Sequence, residues 1–416
     1  MTDTRHALAE ISSPARNSQP VLRLPNPPEL SRSVSAHLDF IRSVAAWAVM
    51  WGHLRAFFFV DFQNLSHPSI FLKVLYFVTG FGHDAVIIFF VLSGFLISSS
   101  ILKSRLAGKW SWAEYATARA ARLYVVLIPG LLFGTLWDVA GKHLFSASGL
   151  YSNPLASFGG LVVQNELTLR NFLGNLFFLQ TIVCHTYGSN GPLWSIANEF
   201  WYYVLFPLGL SVTLAWKRKR FATVAAMTLL ALVIIWMLGI AKMIGFGIWL
   251  AGFVVVLAWS RTQRLVRGSR LAYLLASGTA LATSLYLART MRITPPASEV
   301  AIGVTFAAFV FGTLQLDFRL HLSAVYLRGA RLFAGFSYSL YVLHFPFLLF
   351  LRAWLAPRER WQPDAMHLIY GLAIGFTALL FSWLIALGTE YQTGAARNAL
   401  REFFGIRKPL RSAGRP

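Results

Sequence analysis

Ten apolar stretches, each about as long as a bilayer is thick, constrain this chain more than any motif in it. They run over roughly residues 38–60, 76–101, 120–138, 196–216, 221–240, 243–260, 270–288, 298–316, 332–354 and 367–389. A helix rises 1.5 Å per residue and the hydrocarbon core is about 30 Å thick, so 17–25 apolar residues make one membrane-spanning helix. Only 13% of the residues are charged, against about 25% in soluble domains. The expected fold is therefore all-α: a polytopic membrane helix bundle of about ten transmembrane helices. No internal repeat is visible.

The formal charge of +21 raises nucleic acid as a partner, but its distribution points elsewhere. With the N-terminus inside, the inside segments hold 26 of the 37 Lys and Arg residues and the outside segments 10, Arg42 lying within the first stretch. That asymmetry is the positive-inside signature. It predicts ten spans with both termini cytoplasmic and removes nucleic acid as a partner, leaving the lipid bilayer. Residues 1–35 are polar and rich in Pro, Ser and Arg, without an apolar core for a cleaved signal; a disordered cytoplasmic tail is expected there. A transmembrane domain is expected over 36–392 and a basic cytoplasmic tail over 393–416. The single cysteine, Cys184, allows no internal disulfide or thiolate metal site and reads as a small buried apolar residue. No metal is expected.

The longest outside segment, about 139–195, carries apolar runs too short to span, "YSNPLASFGGLVVQNE" and "NFLGNLFFLQTIVCHTYGSNGPLWS". Such runs suit interfacial or re-entrant pieces lining an outward cavity, with Trp194 and Tyr187 as aromatic surfaces for a saccharide.

Ionisable residues inside apolar helices are expensive and mark function. They are Arg42 and His53 in the first stretch, His83 and Asp84 at the start of the second, Glu199 in the fourth, His344 in the ninth and Glu390 at the end of the tenth. Eleven residues separate Arg42 from His53, about three turns, so both lie on one helix face roughly 16 Å apart. Arg42 also has a snorkelling reading near the interface, and Glu390, at a helix end, a structural one. Neither HExxH, a P-loop nor a G-x-S-x-G elbow occurs, which removes the common metalloprotease, nucleotide-hydrolase and serine-esterase readings. Histidine with a carboxylate and an arginine can activate a hydroxyl and stabilise an oxyanion, as acyl transfer requires. The same set serves a proton relay in a transporter. Spacing alone leaves both open.

Five motifs taken in order resemble the integral-membrane acyltransferase 3 proteins. They are Arg42-x10-His53; "FFVLSGFL", with Ser93, Gly94 and Phe95; "RAAR", Arg119 to Arg122; "GPLWSIANEFWYY", with Trp194, Ser195 and Glu199; and "FSYSLYVLHFP", with Tyr338, Tyr341 and His344. They cover residues 38 to about 350. The resemblance implies a bacterial inner-membrane O-acyltransferase. It would move an acyl group, usually acetyl, from cytoplasmic acyl-CoA (acetyl-CoA) to a hydroxyl of a cell-envelope saccharide such as O-antigen, lipopolysaccharide or exopolysaccharide. His53 would be the catalytic histidine, Arg42 its essential partner and a donor contact, and Glu199 a residue that orients the histidine or binds sugar. Arg119 and Arg122 would meet the CoA phosphates, which suits paired guanidinium groups. Ser93, Gly94, Phe95, Trp194, Ser195, Tyr338 and His344 would be substrate-binding or structural.

The chain departs from the family in two places. No C-terminal hydrolase-like domain is expected, so transfer would be completed by the membrane part or by a separate extracytoplasmic partner protein. "GTEYQTGAARN" also lacks the proline that often follows the last glutamate, so Glu390 is set aside as a site residue. A flippase for a lipid-linked saccharide and acylation of a secreted small molecule such as a macrolide remain as alternatives.

Overall fold

The computed structural model describes residues 24–155, 158–262, 269–315 and 323–406, and no strand occurs among them. The helices are α1 (Arg32–Phe58), α2 (Ile70–Val78), α3 (Gly82–Leu106), α4 (Trp112–Leu144), α5 (Val163–Glu166), α6 (Leu169–Leu176) and α7 (Leu193–Lys217). After these come α8 (Phe221–Thr262), α9 (Arg270–Arg289), α10 (Ala297–Gln315), α11 (Ala324–Gly335), α12 (Ser337–Leu355), α13 (Ala365–Gly388) and α14 (Thr393–Phe403). The described residues of the ten apolar stretches are mostly helical, although 76–101 and 332–354 each straddle two helices and 221–240 and 243–260 share one.

Seven helical stretches among the described residues are long and apolar enough to cross a membrane, so this is a multi-pass membrane protein. One of the seven is α8, whose 42 residues would measure about 63 Å if straight, twice the hydrocarbon thickness. It is broken at Gly239 (φ 72°, ψ 172°), at the boundary expected between stretches 221–240 and 243–260; the backbone there is left-handed, which suits glycine. Helices α1 and α7 have 27 and 25 residues but are not among the seven. Arg42, His53 and Arg55 lower the mean hydropathy of α1, and Asn198 and Glu199 that of α7. Apolarity therefore passes over the two helices that carry the candidate catalytic residues Arg42, His53 and Glu199.

Side-chain bonds sort the connections onto two ends of the bundle. At one end Arg105 donates to Ser211 Oγ (2.8 Å), His37 Nδ1 lies 2.8 Å from the Tyr326 hydroxyl, and Glu114 accepts from Arg397 and Arg401. At the other, Trp361 N–H donates to Phe58 O (2.6 Å), Arg289 donates to Tyr76 O (3.1 Å), and His83 Nε2 lies 2.8 Å from Glu299 Oε1. Asp61, in the α1–α2 connection at this second end, takes two bonds from Arg360 (3.0 and 2.7 Å), and that guanidinium holds its carboxyl below the ordinary carboxylate range. Wherever these bonds reach, segments read as inside share the first end and segments read as outside share the second.

The basic tail expected over 393–416 has helical structure in its first part. Residues 393–403 form α14, whose Arg397 and Arg401 reach Glu114 at the start of α4, so the basic side chains find a fixed carboxylate and the segment packs. Residues 1–23 and 407–416 of the two expected tails lie outside the described residues. Helix α1 starts after Ser31, whose side chain accepts from Val34 N–H (3.2 Å) as an N-cap.

Among its described residues, segment 145–192 holds the short helices α5 and α6 and a 3-10 turn at Ser146–Ser148, none long enough to span. It is drawn onto the bundle by buried polar side chains. Asp138 on α4 accepts from Ser189 N–H (2.7 Å), and Asn190 Nδ2 donates to Val342 O on α12 (2.9 Å). Irregular backbone at depth needs such internal partners. Tyr187 is 8% exposed and accepts from Thr135 Oγ1 (3.1 Å). It is a core residue, so the saccharide surface expected of it is absent, because its ring packs edge-on against Phe172.

Candidate active site

Five helices converge on a cavity of about 330 Å³. Arg42 of α1, Ser93 of α3, Arg119 and Arg122 of α4, Ser195, Glu199 and Tyr203 of α7, and Tyr338 and Tyr341 of α12 all line it. All but Tyr203 were named in the sequence, from five separate motifs, and the fold brings them to one place. Arg42 is held by Asp39 (3.2 Å), one turn before it, and donates to Ala334 O (3.0 Å). Arg119 and Arg122 make no ion pair with a carboxylate among the described residues; Arg119 lies over the rings of Tyr115 and Tyr203, each at 5.8 Å, and Arg122 over Tyr338 at 5.7 Å. The Nε atoms of Arg42 and Arg119 are buried without a hydrogen-bond partner. Unpaired buried guanidinium is costly; Arg119 and Arg122, with Arg42 beside them, give the void a positively charged wall.

A chain of hydrogen bonds fixes the opposite wall. Trp249 Nε1–H donates to Ser93 Oγ (3.1 Å), Ser93 donates to the Tyr203 hydroxyl (3.3 Å), and Tyr203 donates to Glu199 Oε1 (2.5 Å). Glu199 and Tyr203 are four residues apart on α7, so they share a helix face. Ser195 Oγ lies 2.7 Å from the Tyr341 hydroxyl, joining α7 to α12.

The two histidines form a separate pair. His53 Nδ1 lies 2.8 Å from His344 Nε2 with the ring planes 10° apart, and His344 Nδ1 lies 2.8 Å from Leu340 O. A carbonyl only accepts, so His344 carries its proton on Nδ1 and, as a neutral ring, accepts at Nε2. His53 then donates from Nδ1. Its Nε2 is left with a free lone pair, the form of a general base or nucleophile. His344 is fully buried, whereas His53 is partly accessible between Phe158 (5.9 Å between ring centroids) and Phe345 (4.9 Å). Neither histidine lines the cavity. Tyr341 links the two groups: it lines the cavity, and its ring centre is 6.1 Å from that of His344.

A family model described as an acyltransferase domain matches residues 35–387. The chain belongs to the acyltransferase 3 family. No curated protein and no solved structure gives a match.

In this acyltransferase the residue hydrogen-bonded to His53 is His344, and Glu199, weighed in the sequence as the orienting group, is bonded to Tyr203 instead. Gly94 and Phe95 are packing residues. Phe95 is fully buried, and a Cβ on Gly94 would fall 1.8 Å from Trp249 O. Trp194 is half-buried outside the cavity lining, stacked on His83 at 6.1 Å. Glu390 caps α12: its Oε2 accepts from Ser339 N–H (2.8 Å) and Ser339 Oγ (2.9 Å), and a carboxylate there is favoured by the helix dipole. Tyr203 lies inside a quoted motif but was not singled out, although it carried a signal in its spacing from Glu199; Tyr341 was named in its motif without a role. Phe158 carried none, since its place over His53 depends on how segment 145–192 folds back.

If His344 fixes the tautomer of His53, the replacement should matter by its hydrogen bonding rather than by its size. His344→Phe is expected to lower the transfer rate about 100-fold, within the range of general-base effects, and His344→Gln, which keeps an acceptor, to lower it less. Initial rates at matched membrane levels measure this; equal losses would remove the role.

Proposed function

We propose that this acyltransferase moves an acyl group, acetyl in the first instance, from acyl-CoA to a hydroxyl of a cell-envelope saccharide. The observation that carries the reading is the pairing of a three-arginine cavity near one end of α1 with a histidine of free Nε2 toward the other. The anionic donor would be held by Arg42, Arg119 and Arg122; the orphaned Nε atoms of Arg42 and Arg119 suit a phosphate-bearing ligand. His53 Nε2 takes the proton of the acceptor hydroxyl, whose oxygen forms the new ester bond as the thioester C–S bond breaks. The same proton then returns to the departing thiolate sulfur, so protons and charge balance. Because 26 of the 37 Lys and Arg residues fall in inside segments, the arginine end is assigned to the cytoplasm and the His53 end to the outer face of a bacterial inner membrane.

The test uses purified protein with acetyl-CoA and envelope saccharide, following release of free CoA thiol. Wild-type protein is expected to release CoA only when acceptor is present. Arg122→Ala is expected to raise KM for acetyl-CoA about 10- to 100-fold with kcat retained, the effect of losing one or two bonds to a charged group. Envelope O-acetyl content that is unchanged on deleting the gene, together with no acceptor-dependent CoA release, would reject the reading.

A further inference from the structure

A second cleft lies away from the cavity, at the other end of the bundle. It has a volume of about 120 Å³ and is walled by Trp51 and Leu54 of α1, Leu75 of α2, and Leu368 and Leu372 of α13. Its surroundings are apolar and face outward: Phe71 is 60% exposed and Leu372 52%, as on a surface against lipid tails. One charged side chain enters this lining, Arg55, on the last turn of α1. Its guanidinium lies over the Tyr76 ring at 4.9 Å, its Nε is buried without a partner, and it makes no ion pair with a carboxylate among the described residues.

Three more arginines stand around it. Arg289 donates to Tyr76 O (3.1 Å), Arg352 donates to Phe57 O (2.8 Å) with a second buried nitrogen unpartnered, and Arg360 donates to Ala56 O (3.4 Å). The carboxylate bonded within this group is Asp61, and both its oxygens are taken by Arg360. The cluster is therefore strongly positive beside an apolar groove that opens sideways, at the level of a helix end. That pairing of charge and grease matches one class of molecule.

We propose that the α1–α2–α13 cleft binds an anionic glycerophospholipid of the bilayer, its phosphate on Arg55 and the upper part of one acyl chain between Leu75 and Leu372. Interfacial arginine suits a lipid phosphate in both depth and geometry. The site is independent of the acyl-transfer reading, since none of its residues lines the cavity or touches His53 or His344.

The experiment is native mass spectrometry of the detergent-purified full chain titrated with phosphatidylglycerol, with diacylglycerol of the same chains, and with inorganic phosphate. Wild-type protein is expected to retain phosphatidylglycerol about tenfold better than diacylglycerol, the value of a bond to a charged group, and to bind inorganic phosphate weakly. Arg55→Gln is expected to lose that preference and Arg55→Lys to keep part of it. Leu75→Trp, which fills the groove and leaves the guanidinium, is expected to lose the lipid as well. Equal retention of diacylglycerol, or undiminished phosphatidylglycerol binding in Arg55→Gln, would overturn the proposal. So would inorganic phosphate binding as tightly as the lipid. The wild-type comparison of the three ligands decides the matter even if a variant fails to fold.

Discussion

Replacing His53 with alanine is expected to lower acyl transfer about 10³-fold while leaving the chain inserted and acetyl-CoA bound. The size follows from what the residue supplies, a base worth 10²–10⁴ in rate. The selectivity follows from geometry. Arg42 stands about three turns away on the same helix, roughly 16 Å, and the cavity it shares with Arg119 and Arg122 does not include His53. Loss should therefore fall on kcat, with KM for acetyl-CoA nearly unchanged, the reverse of the pattern for Arg122→Ala. O-acetyl signals of the envelope saccharide, by proton NMR in a deletion strain carrying either gene at matched membrane levels, give the cellular counterpart. Full acetylation by an inserted His53→Ala protein would remove His53 from the chemistry.

Gly94→Ala is expected to destabilise the bundle by roughly 3 kcal/mol or more, at or above the upper end of overpacking costs, and to lower the amount of folded protein in the membrane. Helices α3 and α8 touch backbone to backbone: a Cβ at Gly94 would lie 1.8 Å from Trp249 O, and one at Gly252 would lie 2.2 Å from Val91 O and 2.4 Å from Phe95 N. The obstructing atoms are main chain and have no rotamer to escape into. Small residues at such crossings let membrane helices approach closely. Gly247→Ala on the same helix meets nothing within 4 Å and should fold normally. Yield of monodisperse protein after extraction, and its thermal midpoint, separate the two. An unaffected Gly94→Ala would mean the helices are free to part. The effect would also reach the cavity, because the α3–α8 contact sets the bond from Trp249 to Ser93 and so the tyrosine on Glu199.

Much of the architecture was legible because it follows from local composition. Stretch length marked the helices, and even the break in α8 fell where the apolar pattern pauses. The cavity was legible in part, since Arg42, Arg119, Arg122, Ser93, Ser195, Glu199 and Tyr338 stood out as polar or motif residues in apolar helices. The histidine pair was not. His53 and His344 are 291 residues apart, and no periodicity within α1 or α12 says that the two faces meet. For the same reason Glu199 drew a role beside His53, when its partner was the tyrosine one turn on. Tyr187 and α14 show the other limit. A residue in a loop or a basic tail looks exposed until a buried partner, here Thr135 or Glu114, is known.

The cap on α12 bears on how the protein is made. The helix that carries His344 is closed at its start by Glu390, 51 residues later than Ser339. A ribosome adding about 5–20 residues per second delivers the histidine several seconds before the carboxylate that finishes its helix. Until then the N–H groups of Tyr338 and Ser339 lack the carboxylate that accepts from them. The start of the helix that carries His344 is thus capped only late in synthesis. A nascent chain that stalls before residue 390 sits in the bilayer with its cavity arginines present and the helix of His344 still uncapped.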